Sequence, residues 1–163
     1  MPKPVSNRLG LISIDSALRM IVARRIYSGR VTPMGCHITI QEVGHADFPR
    51  HPDPPDKPAE VTVGSDGLLI ATRCPDFGDV DLEAWSGDPG RPQAGWQTVF
   101  EGHIKTQARG FDIGTATATT FHVNVAPGSY AFRADIHRGS DGLIDGVRFI
   151  FPESPELSGE IRE

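Results

Sequence analysis

The residues of this chain best suited to chemistry are carboxylates. Asp76, Asp79, Asp81, Glu83 and Asp88 gather within residues 76–88, with Trp85 among them. Val80, Leu82 and Ala84 alternate with Asp79, Asp81, Glu83 and Trp85, which places those three acids and the indole on one face of a strand. Clustered carboxylates speed encounter with a basic surface. Trp is enriched among residues that anchor interfaces. Asp76, Asp79, Asp81, Glu83, Trp85 and Asp88 are therefore the candidate binding surface, of the kind an inhibitor of a basic enzyme needs. The same pattern also suits a solvated strand face, and Trp85 also suits an edge cover.

No catalytic constellation accompanies these acids. The nucleophile elbow, the phosphate-binding loops and the HExxH zinc motif are all missing from the sequence. A carboxylate pair for glycoside hydrolysis has nothing specific in its favour. His37, His45, His51, His103, His122 and His137 match no metal-ligand spacing. His45 and His51 share a Pro-rich loop with Asp47, Phe48 and Asp53 and read as solvated, while His103 and His122 read as outward positions on strands. The sequence thus calls for no catalytic residue, no metal and no cofactor. Cys36 and Cys74 form no CxxC pair. They read as two small buried hydrophobes, with a bridge open only if their strands are neighbours.

The elements that would position these residues are short strands. The chain has 163 residues, with 18 Gly and 14 Pro, a punctuation that suits many turns. Strand patterns, mostly of period two, start at Cys36, Val61, Leu68, Val80, Trp96, Phe121, Tyr130 and Val147. A bulge or bend is expected near Gly102. Ala126-Pro127-Gly128-Ser129 reads as a type II turn closing a hairpin. The fold class is all-β, an antiparallel β-sandwich of seven or eight short strands, with a barrel as the alternative.

Charge divides the chain. Residues 1–33 hold six basic residues against Asp15 alone, a balance of +5. The other 130 residues hold ten basic and twenty acidic ones, a balance of −10. Three parts are expected: a basic N-terminal extension over 1–33, the sandwich over 34–152 and an acidic, frayed tail over 153–163. Leu18, Ile21, Val22 and Arg25 fall at helical spacing, although Val and Ile suit a strand equally. Met34, just before the strand pattern, would also serve as a start.

The segment from Phe121 through Ala126-Pro-Gly-Ser-Tyr130 to Ser140-Asp-Gly and the closing strand Val147–Phe151 resembles the end of small bacterial β-sandwich proteins of the competence protein J type. The run from Ser65 to Thr72, followed by Val80 to Trp85, stands in a similar order. The resemblance implies a sandwich over residues 34–152 and an inhibitor of a nuclease. The first 33 residues and the Pro-rich loop depart from it.

The reading is a non-catalytic binding domain, an acidic inhibitor or immunity-type partner of a basic, nuclease-like protein. Self-association through strand edges and carbohydrate binding on Trp85 or Trp96 are the alternatives. An acidic body repels nucleic acid and anionic membrane. No apolar run reaches eighteen residues, so no spanning helix is expected. A cytoplasmic location follows by default.

Overall fold

The computed structural model describes residues 23–44, 60–64, 67–115 and 117–162. Among these residues, eleven strands form: β1 Arg24–Val31, β2 His37–Glu42, β3 Val61–Val63, β4 Gly67–Ala71, β5 Val80–Ser86, β6 Trp96–Thr106, β7 Gly110–Gly114, β8 Thr119–Asn124, β9 Gly128–Arg138, β10 Ile144–Phe151 and β11 Ser158–Ile161. They make two sheets. One has five strands in the order β1-β5-β10-β9-β6, and the other has six in the order β11-β8-β7-β2-β4-β3. All pairings are antiparallel except that of β5 with β10. The all-β sandwich expected from the sequence is what the chain forms.

Alternation builds the core. Val80, Leu82 and Ala84 of β5 are fully buried, as are Val147, Phe149 and Phe151 of β10 and Ile38 and Ile40 of β2. Rings meet across the sheets: Phe111 of β7 lies 6.0 Å from Phe151 of β10, and Tyr27 of β1 lies 4.9 Å from Phe121 of β8. Removing one such ring costs about 3–5 kcal/mol, because the core relaxes only partly around the void.

Three strands exceed the expected count. β1 lies inside the stretch read as a basic extension, β11 lies inside the tail read as frayed, and β7 was not marked by its pattern. β1 pairs along the free edge of β5, setting Arg30 level with Asp81. Its Tyr27 and Ile26 pack on the core, and Arg24 donates to the Leu157 carbonyl at 2.7 Å. The boundary expected at Met34 is therefore no edge of the fold. The helical reading falls mostly outside the described residues, and its described end, from Arg24, is strand. The Pro-rich loop, with His45, Asp47, Phe48, His51 and Asp53, also lies outside them.

Two local expectations are corrected. Ala126-Pro127-Gly128-Ser129 closes no hairpin, because β8 belongs to the six-stranded sheet and β9 to the five-stranded one. Gly128 simply opens β9. A turn signal shows where a chain reverses, but both flanking strands bury an apolar face and each found a different neighbour. The bulge in β6 falls between Thr98 and Phe100 instead of at Gly102.

The cysteines are the third correction. Cys36 and Cys74 form a disulfide, and neither is a buried hydrophobe. Each ends up on a connector that crosses between the sheets: the 3-10 turn Met34–Cys36 after β1, and the stretch before the 3-10 turn Pro75–Phe77 that leads into β5. The bridge ties the two crossings together. His122 is also not outward: it is buried, and its Nδ1 lies 2.8 Å from Asp112 Oδ1.

Candidate binding surface

The six predicted residues part into two groups. On β5, Asp81, Glu83 and Trp85 do share the outer face, but arginines meet them there. Arg30 of β1 approaches Asp81 at 3.4 Å, with both side chains largely exposed. Glu83 lies deeper. It accepts from Trp85 Nε1 at 2.8 Å and from Arg148 Nε at 2.7 Å, and Arg25 stands 3.3 Å away. Burial pushes the Glu83 carboxyl up, yet these donors and charges outweigh it and hold its pKa below the ordinary value. Asp88, beyond the strand, pairs with Arg133 at 3.2 Å. The strand face expected to be acidic is a neutralised lattice of acids and arginines.

Register explains the lattice. Glu83 lies level with Arg148, Arg148 with Asp135, and Asp135 with Thr98, a polar row across four strands. The Arg148 guanidinium sits 3.8 Å from the Trp96 ring centroid, covering one face of that indole. Asp135 is fully buried and accepts from the Thr98 hydroxyl at 2.7 Å. Because β10 and β9 intervene between β5 and β6, the 87–95 connector must cross the sheet's outer face. Arg133 clamps it by donating to the Gly90 carbonyl at 2.7 Å. Gly95 is needed where it lands: its φ is +88°, and a Cβ there would meet His137 Nε2 at 3.0 Å. A cleft of about 240 Å³ remains under the connector, bordered by Trp85, Arg91, Arg133, Asp135 and Arg148.

Asp76 and Asp79 stand elsewhere, at the disulfide end of the sandwich. The parallel pairing of β5 with β10 brings the start of both strands to that end. Three connectors therefore converge there, and they carry the exposed apolar residues Met34, Phe77 and Leu143. Phe77 is 62% exposed on its 3-10 turn. Its amide donates to the Cys74 carbonyl at 2.9 Å, and its own carbonyl accepts from Arg73 at 3.1 Å. Asp76 is exposed beside it and makes no ion pair among the described residues. Among the described residues, Asp79 accepts only from the Thr32 hydroxyl at 2.9 Å. Asp141 pairs with Arg73, which also reaches Asp145.

Comparison with known protein families and with curated proteins finds no match. Among solved structures, the chain is similar to the crystal structure of ComJ, inhibitor of the DNA degrading activity of NucA, from Bacillus subtilis. The TM-score is 0.59 at 9% identity, over 78% of this chain and 96% of that chain. At that identity the likeness is one of fold. The resemblance read from the Phe121–Pro152 region holds at that level.

Sequence reasoning missed Phe77, Arg148, Arg133 and Asp135. Phe77 stood in a Cys-Pro-Asp-Phe-Gly turn, and its signal was a large apolar residue outside any strand period. The other three lie on strands at outward positions, where nothing local shows which acid or indole will face them. No group of three or more potential metal ligands occurs among the described residues. No described helix is long and apolar enough to cross a membrane.

Proposed function

We propose that this protein is a non-catalytic binding domain of the inhibitor type, docking a basic protein such as a nuclease through its disulfide end. The observation that carries the reading is Phe77, a largely exposed ring on a connector braced by the Cys36–Cys74 bridge and by Arg73. Exposed apolar residues gathered in one patch mark interaction sites, and Met34 and Leu143 stand at the same end of the sandwich as Phe77. Asp76 and Asp79 stand close to Phe77 in the chain, and among the described residues Asp81 is held only by an exposed pair, so the surroundings favour a cationic partner. Glu83, Trp85 and Asp88 stabilise the strand face behind this surface. The fold shared with ComJ, described as an inhibitor, supports the same reading.

The bridge also bears on where the protein acts. Disulfides persist chiefly in oxidising compartments. The Cys36–Cys74 pair therefore supports action outside the cytoplasm, against the default location.

The test is affinity capture on the immobilised chain from its host at low salt, run beside an F77A/D76K double variant. The expected result is a basic protein retained by the wild type, released by salt and lost with the variant. Identical retention by both forms would exclude this surface.

A further inference from the structure

The cleft beneath the 87–95 connector presents polar groups that the described residues leave unmatched. Asp135 Oδ2 is buried without a hydrogen-bond partner among the described residues, on a side chain with no exposed surface. Arg133 Nε is likewise buried without one, although it stands 3.3 Å from Asp135 Oδ1. Arg148 spends its Nε on Glu83, and its two Nη groups find no acceptor among the described residues. An unsatisfied buried acceptor is costly, so one beside a cleft wall points to a guest. Trp85 supplies a flat wall, and Arg91 stands at the border without an ion pair among the described residues.

We propose that this cleft binds a carboxamide: an Asn or Gln side chain, or a peptide group, of a polypeptide. The argument is one of matching. Asp135 Oδ2 needs an N–H or O–H. The arginine groups need an acceptor. A cationic guest would satisfy the carboxylate and face three arginines. An anion would satisfy the arginines and face Asp135. Arg91, Arg133 and Arg148 are balanced by Asp135, Glu83 and Asp88, so the surroundings favour a neutral guest. A carboxamide is neutral and planar, and it carries donor and acceptor side by side. Its plane suits the face of Trp85. Because Asp135 has no exposed surface, the guest reaches Oδ2 only as a side chain lining the cleft gives way, while the connector stays clamped by Arg133.

The site is separate from the disulfide end, and its test is independent of partner capture. The full chain, labelled with nitrogen-15, is titrated with propionamide and with methyl propionate, which keeps the carbonyl but lacks the N–H and carries no other amide. The expected result is saturable movement of the Trp85 and Trp96 indole signals with the amide and at least tenfold weaker binding of the ester. D135N, whose spectrum reports whether it is folded, should weaken the amide to a similar degree, whereas F77A should leave the titration unchanged. Should D135N fail to fold, R91Q supplies the second arm, and its binding of the amide should fall severalfold. Equal response to amide and ester would overturn the proposal. So would no response at all, which would mean that water alone satisfies Asp135, or a response to cytidine monophosphate in its place, which would make the cleft a nucleotide site.

Discussion

Arg148 holds two partners at once: its Nε donates to Glu83 Oε2 at 2.7 Å while its guanidinium plane lies 3.8 Å from the ring centroid of Trp96. One side chain on β10 thereby joins β5 to β6 across the outer face of the sheet. Both members of the ion pair are mostly buried, at 11% and 15% exposure, so breaking it strands a charge. R148M is expected to lose about 3 kcal/mol of stability by urea unfolding. R148K keeps the charge but neither the plane nor the fixed fork, and should recover less than half of that loss. Full recovery by Lys would show that the stack contributes nothing.

Acid should weaken the fold through Glu83. Burial raises its pKa, but the bonds from Trp85 and Arg148 and the charges of Arg148 and Arg25 bring the net value below normal. A depressed carboxylate contributes stability above its unfolded pKa of about 4.3, and that contribution is lost as pH falls through the folded value. E83Q should be less stable than the wild type near neutrality and should converge with it in acid. Parallel pH curves for the two proteins would contradict this.

Tyr27 gives the opposite sign. Burial raises its pKa, so its contribution is complete below an unfolded value of about 10 and is lost as pH rises beyond it. Y27F should flatten the alkaline limb of the same stability curve and leave the acid limb untouched.

The Cys36–Cys74 bridge closes a loop with a sequence separation of 38. On the loop-entropy estimate it stabilises the fold by about 4 kcal/mol. A reductant should therefore lower the thermal midpoint markedly, and the C36S/C74S double variant should match the reduced wild type. The reduced double variant should show no further drop. A midpoint indifferent to reductant would mean that the bridge does not constrain the unfolded chain.

A chain beginning at Met34 should fold poorly. Without β1, the edge of β5 opens, Tyr27 leaves Phe121, and Glu83 and Asp81 lose Arg25 and Arg30. Expected are loss of cooperative melting and binding of a hydrophobic dye. A sharp melt at the full-length midpoint would show that β1 is dispensable.

Much of the sandwich was legible because burial imposes a period of two. Val80, Leu82 and Ala84 on one side and Asp81, Glu83 and Trp85 on the other fell where the alternation placed them. β1 was ambiguous because Arg24, Arg25 and Arg30 broke its apolar pattern; Arg25 and Arg30 are explained by Glu83 and Asp81 of β5, and Arg24 by the distant Leu157 carbonyl. β11 escaped notice because all of its residues are exposed, so no periodicity could mark it.

By itself, then, the sequence determined the strand class, the inward faces and the set of acids on β5, since each follows from neighbours a few residues away. The tertiary structure decided which strands pair, that β8 and β9 part company, that the cysteines meet, and that arginines from β1, β9 and β10 neutralise the acids. Those outcomes depend on contacts between residues far apart in the chain, where local pattern carries no information about the partner. Carboxylates alone suggested an acidic face. The fold left Asp76, Asp79 and Phe77 as its open surface and turned Glu83, Trp85 and Asp88 into supports.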